Sequence, residues 1–165
     1  MEINLFQCTK ESPYHLSVGA VLFNPTDKRI ACHHFEDFEG EKDIHILMRE
    51  TVEPGEAIEA AVHRGLMEEF GAIGKISRFL GPIVGKWRHG GHKDGNEIYK
   101  TTLYFLVELL EQDVNRRKKD DPEFGSVIEW HEAEFLINKM KEQGLRVTRT
   151  DLDESEVIER ARDVV

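Results

Sequence analysis

An amphipathic helix in the middle of the chain, with strand-like segments on both sides, restricts the possible fold more than any other feature. Apolar side chains recur at intervals of three and four from residue 57 to residue 70, and Gly71 supplies a C-terminal stop. Such a helix gains its stability by packing its apolar face on another layer, so we expect it to cover a sheet. The apolar positions are Ile58, Ala61, Val62, Leu66 and Phe70.

Segments typical of β-strands precede this helix. Residues 16–23 form an apolar run that ends at the turn sequence Asn-Pro-Thr-Asp, and residues 30–34 are predicted to return as the second strand of a hairpin. Residues 44–48 form a short apolar run that can join the same sheet. A loop with Pro54 and Gly55 then leads into the helix, where the hydrophobic period changes.

Strand-like segments resume after the helix, and two further helices are predicted near the C-terminus. Residues 79–84 and 102–109 are predicted as strands on either side of a Gly-rich polar loop at residues 85–100. The helices are expected at residues 132–143 and at about residues 154–163.

The interleaving of helices and strands predicts one α/β (or α+β) domain. Gly144 is expected to end the first of the C-terminal helices. No repeat, low-complexity segment or linker divides the 165 residues, and a chain of this length can bury one sizeable core. We therefore predict a single domain over residues 1–165, with helices packed around one sheet.

The composition excludes several classes of protein. A formal net charge of -10 argues against duplex nucleic acid, whose binding rests on Lys and Arg. No run of about 18 apolar residues occurs and the start lacks a secretion signal, which favours a cytoplasmic protein with no membrane partner. Cys8 and Cys32 lie in no ligand spacing and are expected to be reduced thiols. An acidic protein that handles phosphates needs a metal ion or a basic cluster against the repulsion.

Two adjacent glutamates, Glu68 and Glu69, project from the polar side of the central helix. Position 65 lies three and four residues before them and therefore shares their face. An ordinary helix would intersperse lysines to stabilise such neighbours, and none of their nearest helical partners is Lys. A hard divalent cation such as Mg2+ would relieve their mutual repulsion and keep positions open for phosphate oxygens. The spacing alone supports a metal site and a solvated acidic face equally.

This helix and the loop before it resemble the Nudix box, Gx5Ex7REUxEExGU, in which U is an aliphatic residue. Residues 52–56 also resemble the loop that commonly precedes the helix in that family, and Glu129-Trp130 resembles the Trp-containing strand end often found near the C-terminus of Nudix domains. The shared spacing is far more specific than an acidic pair. The matching box positions are Glu56, Arg64, Leu66, Glu68, Glu69 and Gly71.

The resemblance implies both a fold and an activity. Nudix domains are α/β/α sandwiches with a mixed central sheet, and the family implies a Mg2+- or Mn2+-dependent pyrophosphohydrolase that acts on a nucleoside diphosphate linked to another moiety. Carried over to this chain, Glu68 and Glu69 hold metal, while Glu56 pairs with Arg64 to brace the loop against the helix. These four are the candidate catalytic residues. The implied partner is a nucleotide or another diphosphate-containing small molecule, and the sequence leaves a homodimer open.

Two box positions depart from the family pattern. The glycine that opens the box is Glu50 here, and the first glutamate of REUxEE, commonly a metal ligand in the family, is Gly65. A glycine within a helix costs about 1 kcal/mol relative to alanine, so Gly65 requires a reason. We hypothesise a swap, in which the carboxylate of Glu50 enters the space left by Gly65 and serves as a further metal ligand.

The same two departures leave a second function open. A chain that has lost activity would keep the fold as a catalytically weakened or inactive module that binds a nucleotide or a protein. Such a module binds a diphosphate without releasing product in the presence of Mg2+ or Mn2+. A substrate panel with both metals separates the two hypotheses.

A basic and aromatic segment within the polar loop is the candidate for substrate binding. Lys86 and Arg88 can neutralise phosphate oxygens, Trp87 can stack on a base, and Glu97 follows in the same loop. A solvated hairpin loop is an equally supported interpretation.

A carboxylate outside the box is expected as a base or further ligand, and the sequence does not choose among Asp94, Glu97, Asp121 and Glu123. The basic run at residues 116–119 is followed at once by two aspartates and is interpreted as a solvated loop. None of the histidines has a partner in the sequence that would support nucleophilic catalysis.

Overall fold

Three layers make up the fold. The structure, a computed structural model, describes residues 6–9, 12–88, 97–147 and 149–165, with residues 87 and 88 as backbone only. A mixed sheet of seven strands forms the middle layer, with one helix packed on one face and two helices on the other. This arrangement confirms the predicted α/β/α sandwich.

The sheet is built around one parallel pair of strands. In space the strands follow the order β3-β2-β1-β6-β5, while β4 also pairs with β1 and β7 pairs with β2. β1 and β6 run parallel over the whole of β1, and the other pairs are antiparallel. The strands are β1 (Tyr14–Phe23), β2 (Ile30–Phe38), β3 (Glu41–Ile46), β4 (Met48–Thr51), β5 (Ala72–Arg88), β6 (Glu97–Gln112) and β7 (Val127–His131).

The central helix of the chain changes its winding before it ends. The regular part, α1 (Ile58–Gly65), continues directly into a wider π-helical turn, Leu66–Phe70. Gly71 then adopts a left-handed conformation with φ 61°, and its N–H bonds back to the carbonyl oxygens of the last turn. π-Helical turns are rare and often occur at functional sites. The two C-terminal helices are α2 (Ala133–Arg146) and α3 (Ser155–Arg162).

β1 contributes to two separate cores because successive side chains of a strand point to opposite faces of the sheet. Ala20 and Leu22 pack in the core beneath α1, together with Val62 and Leu66. We call α1 and the π-helical turn that continues it, residues 58–70, the box helix. The alternate residues of β1 pack in the core beneath α2 and α3, whose buried side chains include Leu136, Met140, Val157 and Ile158. The continuous apolar run predicted at residues 16–23 thus reflects burial on both faces.

The predicted hairpin, central helix and two C-terminal helices are confirmed, and two details are wrong. The segment 85–100 is not a loop throughout, because β5 extends to Arg88 and β6 begins at Glu97. Gly144 does not end α2, which continues to Arg146; a Cβ at position 144 would lie 2.7 Å from Cβ of Asp153, so the glycine allows close packing. The run at 44–48 joins the sheet as predicted and is divided between β3 and β4. Within the described ranges, no helix is long and apolar enough to cross a membrane.

Two left-handed glycines provide a matched test of how the box helix ends. At Gly71 (φ +61°) an added Cβ would lie 2.0 Å from the carbonyl oxygen of Asp113, whereas at Gly55 (φ +78°) nothing lies within 4 Å. We expect Gly55→Ala to lower the free energy of unfolding by about 1 kcal/mol through backbone strain alone. Gly71→Ala adds a steric clash and should lower it by about 3 kcal/mol. Urea denaturation measures both, and equal losses would contradict the close packing at Gly71.

Candidate functional site

A bidentate ion pair joins the loop before α1 to the helix itself. Arg64 Nε donates to Glu56 Oε1 at 2.8 Å, and Arg64 Nη2 donates to Glu56 Oε2 at 3.0 Å. Arg64 Nη2 also donates to the backbone oxygen of Thr51 at the end of β4, at 2.8 Å. The hydrogen bonds from Arg64 lower the pKa of Glu56. These contacts give the pair the bracing geometry that the family resemblance implies.

Three carboxylates meet beside this brace. One oxygen of each of Glu50, Glu68 and Asp121 lies within 4.8 Å of the other two, and we call these residues the carboxylate cluster. Arg64 Nη1 lies 3.2 Å from Glu50 Oε1, and Lys118 Nζ lies 3.6 Å from Glu68 Oε2. Arg64 Nη1 also lies 3.9 Å from Glu68 Oε2, so Glu68 has two cationic neighbours and Glu50 has one.

Gly65 creates the space that brings Glu50 into this cluster. A Cβ at position 65 would lie 2.8 Å from Cβ of Glu50 and 2.6 Å from Sδ of Met48. The stem of the Glu50 side chain and the Met48 thioether therefore fill the volume that a larger residue at 65 would need. The Glu50 carboxylate lies beyond this point, next to Glu68, and burial raises its pKa. The geometry is compatible with the swap hypothesis, and the ligand role of Glu50 stays a prediction.

Glu69, the neighbour of Glu68, points into the protein interior instead of into the cluster. Its side chain is 1% exposed, and Oε2 lies 2.8 Å from Nε2 of His33 on β2. The backbone N–H of Arg49 also donates to Oε2, at 3.4 Å. The π-helical turn thus directs two adjacent glutamates to different partners, and the role of Glu69 as a metal ligand stays a prediction.

Burial has opposite effects on the two members of the Glu69–His33 pair. It raises the pKa of Glu69 well above its usual range, with further contributions from the negative charges of Glu123, Glu50 and Asp121. Burial also lowers the pKa of His33 to about 3, assisted by the positive charges of nearby arginines. Both shifts disfavour the charged form of the side chain concerned.

The loop at residues 113–126, here called the capping loop, is held on the C-terminal end of the box helix. The last carbonyl groups of a helix have no partner within it. Here the carbonyl oxygen of Glu68 accepts from the backbone N–H of Lys118 at 2.8 Å, and that of Gly71 accepts from Asp113 N–H at 2.9 Å. The carbonyl oxygen of Phe70 accepts from the side chain of Gln112 at 3.2 Å.

Arg117 completes this attachment. Its Nε donates to the carbonyl oxygen of Glu69 at 2.5 Å, and Nη2 donates to the carbonyl oxygen of Glu123 at 2.7 Å. Nη2 also donates to Oγ of Ser126, which lies 2.7 Å from His33 Nδ1. The interpretation of the basic run as a solvated loop is therefore wrong for Arg117, because side-chain hydrogen bonds to distant carbonyl groups leave no local signal in the sequence.

The capping loop brings two of the candidate loop carboxylates to the site. Asp121 belongs to the carboxylate cluster, and its Oδ1 accepts from the backbone N–H of Glu123 at 2.9 Å. Burial, followed by the interaction with Asp121, raises the pKa of Glu123 to about 8. Glu97 instead accepts a hydrogen bond from the Tyr99 hydroxyl, and Asp94 lies outside the described residues.

The predicted substrate-binding residues lie at the far end of the β5–β6 ladder. Lys86 pairs with Tyr99 in this ladder and places its Nζ 5.2 Å from the centre of the Tyr99 ring. The side chains of Trp87 and Arg88 lie outside the described part of the structure. The backbone N–H of Lys86 donates to Oγ1 of Thr150 at 2.9 Å, and the binding role of Lys86 and Glu97 stays a prediction.

The family model described as NUDIX domain matches residues 13–150. No protein of curated function matches the sequence. Among solved structures, a NUDIX hydrolase from Nitrosomonas europaea is 18% identical with a TM-score of 0.60, and the alignment covers 90% of this chain and 85% of that one.

Two further solved structures show the same fold. A MutT protein from Methanosarcina mazei Go1 is 15% identical with a TM-score of 0.52, and the alignment covers 79% of this chain and 85% of that one. A protein described as UDP-X diphosphatase is 15% identical with a TM-score of 0.51, over 72% of this chain and 51% of that one. At this level of identity, the likeness concerns the fold alone.

The packing of Gly65 against Glu50 can be tested with a double-mutant cycle. Gly65→Ala normally stabilises a helix by about 1 kcal/mol, but here the added Cβ meets the Glu50 stem, so we expect a loss of about 1 to 2 kcal/mol in the free energy of unfolding. In a Glu50→Gly background the same substitution should recover at least about 1 kcal/mol. Urea denaturation of the four proteins measures the coupling. Additivity within about 0.5 kcal/mol would show that the two positions do not compete for space.

A second prediction concerns the pH dependence of stability in the absence of divalent cations. Folded Glu123 keeps its proton up to a pKa of about 8, whereas its ordinary value is 4.5, so the folded state binds more protons between these values. The contribution of Glu123 to the free energy of unfolding should therefore fall as the pH rises through this window. Glu123→Gln should reduce the fall, and Asp120→Asn, at an exposed neighbour, should not. The measurement is the urea midpoint of each protein in EDTA at several pH values. Identical pH profiles of the midpoint for Glu123→Gln and wild type would contradict the raised pKa of Glu123.

Proposed function

This chain belongs to the Nudix family, and on that premise we propose that it is a divalent-metal-dependent hydrolase of the diphosphate linkage in a nucleoside diphosphate joined to another moiety. The observation that carries the proposal is the carboxylate cluster of Glu50, Glu68 and Asp121 at the end of the box helix. The neighbour named UDP-X diphosphatase is in line with this substrate class.

The chemistry of the cluster fits a hard divalent cation. Carboxylate oxygens are the ligands that Mg2+ and Mn2+ prefer, and Glu50, Glu68 and Asp121 bring three of them within 4.8 Å. We propose that these three residues would hold the ion, with Glu69 as a buried neighbour. When bound, the ion supplies positive charge for phosphate oxygens and lowers the pKa of a coordinated water.

Two cations of the chain are placed to assist the binding of a diphosphate. The Nζ atom of Lys118 lies 3.6 Å from Glu68 on a partly exposed side chain, so it can turn to a phosphate oxygen beside the cluster. Arg64 is held more rigidly by Glu56 and by the end of β4. We propose that Lys118 binds phosphate, while Arg64 positions Glu50 and Glu56.

Glu123 is the proposed acceptor of the proton of the attacking water. A pKa raised to about 8 makes its carboxylate more basic than an ordinary glutamate, and the base strength is thus close to that needed near neutral pH. Arg117 and the Asp121 carboxylate hold the backbone on either side of Glu123. The residue is therefore positioned next to the cluster by the capping loop and not by the box helix.

The pair of Glu69 and His33 has a positioning role in this proposal. His33 lies between Glu69 and Ser126 of the capping loop, with distances of 2.8 Å and 2.7 Å to their side-chain oxygens. It therefore links the π-helical turn that carries Glu68 to the loop that carries Asp121. Loss of this link is expected to widen the cluster.

One observation favours the second candidate function, a weakened or inactive module that binds a diphosphate. The Glu50 carboxylate already has a cationic partner, because Arg64 Nη1 lies 3.2 Å from it. A carboxylate with such a partner attracts a metal ion less strongly. A panel of nucleoside diphosphate derivatives, incubated with Mg2+ or Mn2+, distinguishes the two functions by product release.

Removal of a cluster carboxylate provides the test of the proposed activity. Glu68→Gln and Glu50→Gln preserve the side-chain volume but each removes a negative charge, so we expect kcat on the best substrate of the panel to fall by about 100-fold or more. Thermal denaturation in EDTA should show that both variants remain folded.

Glu59→Gln is the matched control for these variants. Glu59 is an exposed glutamate on α1 that takes no part in the cluster, and its substitution should leave kcat unchanged. Full activity of Glu68→Gln would refute the assignment of the cluster. The non-catalytic module would be favoured if the wild type binds members of the panel measurably but releases no product from any of them with either metal.

A further inference from the structure

A second group of possible metal ligands lies on the opposite face of the sheet. His33 and His34 are consecutive residues of β2, so their side chains point to opposite faces. His33 contacts Glu69 below the box helix, whereas His34 contacts Asp43 of β3 and Glu129 of β7. The histidine doublet thus provides one imidazole to each side of the sheet.

The three side chains around His34 have the donor types of a transition-metal site. Ligand atoms of His34, Asp43 and His45 all lie within 4.8 Å of one another. His34 Nε2 is 3.0 Å from Asp43 Oδ1, and His45 Nδ1 is 4.0 Å from the same oxygen. The two imidazole rings are stacked with their centres 4.4 Å apart, as expected for residues directly opposite each other on β2 and β3.

His45 provides an independent sign that a ligand belongs here. The residue is 3% exposed, and its Nδ1 is buried without a hydrogen-bond partner among the described residues. A buried polar atom without a partner is rare because it has lost its hydrogen bond to water. A neutral imidazole carries a lone pair on one of its ring nitrogens, and this lone pair is what binds a metal ion.

Glu129 holds the remaining ring nitrogens in the orientation that metal-binding histidines require. Its Oε1 lies 3.0 Å from Nδ1 of His34, and its Oε2 lies 3.5 Å from Nε2 of His45. Histidine ligands of metal ions usually donate their second N–H to a carboxylate, which fixes the tautomer. His131 Nε2 lies closer to the same Oε2 of Glu129, at 2.7 Å. With the Nδ1 proton of His34 directed to Glu129, the lone pair on Nε2 of His34 faces Asp43.

We propose that His34 Nε2, His45 Nδ1 and the Asp43 carboxylate bind a late first-row divalent cation, Zn2+ in the first instance, at a site separate from the carboxylate cluster. Two imidazoles and one carboxylate favour Zn2+, Co2+ or Ni2+ over Mg2+. Asp43 is about half exposed, so the ion reaches the site from solvent and keeps room for water. The bound ion would tie β2 to β3 and, through Glu129, to β7.

The side chain of Lys139 competes with the ion for the Asp43 carboxylate. The ammonium group of Lys139 on α2 pairs with Oδ2 of Asp43, so a cation must share this carboxylate or displace the lysine. Removal of that positive charge should therefore strengthen binding, whereas removal of a ligand should weaken it. These opposite effects distinguish the proposed site from unspecific binding to an acidic surface.

The test is a titration of the full-length, tag-free protein with Zn2+ in the presence of excess Mg2+, followed by calorimetry. We expect one Zn2+ per chain at this site. His34→Ala and His45→Phe should each weaken binding by about 100-fold, and Glu129→Gln by about tenfold. Lys139→Met should strengthen it by about fivefold. Circular dichroism checks the fold, and if His45→Phe fails to fold, the partly exposed His34→Ala decides alone.

Three controls separate this site from other binders of Zn2+. Glu68→Gln removes a member of the carboxylate cluster and should leave the Zn2+ affinity unchanged. Cys8→Ser should also leave it unchanged, which excludes the partly exposed thiol. His34→Ala should retain the Mg2+-dependent activity of the wild type. The titration measures Zn2+ binding directly, so its result does not depend on the proposed hydrolase function.

Several outcomes would overturn the proposal. One is the absence of stoichiometric Zn2+ binding to the wild type. Another is an unchanged affinity in His34→Ala. A third is loss of binding in His131→Asn but not in His34→Ala, which would move the ion to the alternative group of His45, Glu129 and His131. Intense visible absorption of the Co2+-loaded wild type, lost in His34→Ala, would provide spectroscopic support.

Discussion

The attachment of the capping loop to the C-terminal end of the box helix is the constraint on which the candidate site depends. A helix end leaves its last carbonyl groups without partners, and here the peptide N–H groups of Asp113 and Lys118 and the guanidinium of Arg117 supply them. The same segment carries Asp121, which belongs to the carboxylate cluster with Glu68, and Glu123, whose backbone N–H donates to Asp121. The hydrogen bonds that complete the helix therefore also determine where the additional carboxylates lie.

This arrangement gathers negative charge in a place where little solvent can screen it. Burial raises the pKa of Glu50, Glu69 and Glu123 because the charged form of each loses water. These three carboxyl groups bear protons more readily than isolated glutamates do, and a bound cation would favour their ionised forms. The fold thus holds an electrostatically unfavourable group in position by contacts to the backbone, as expected for a site that is completed by a positively charged ligand.

β2 shows how one strand serves both faces of the sheet. His33 is buried below the box helix, whereas its neighbour His34 lies among the residues that α2 partly covers. The first links two parts of the proposed diphosphate site, and the second belongs to the proposed Zn2+ site. The sheet separates the two, so substitutions on one face can be tested without direct changes to ligands on the other.

The sequence by itself determined the family, the helix that ends at Gly71 and the layered fold, because these depend on the spacing of residues along regular elements. The pairing of Glu56 with Arg64 was implied by the family resemblance and is present in the structure. The sequence also suggested the hypothesis that the Glu50 side chain occupies the space left by Gly65. Only the tertiary structure showed that Asp121 and Glu123 lie at the site, turned Glu69 toward His33 and gave Arg117 a structural role at the helix end. These depend on a π-helical turn and on contacts between residues far apart in sequence, and neither leaves a periodic pattern along the chain.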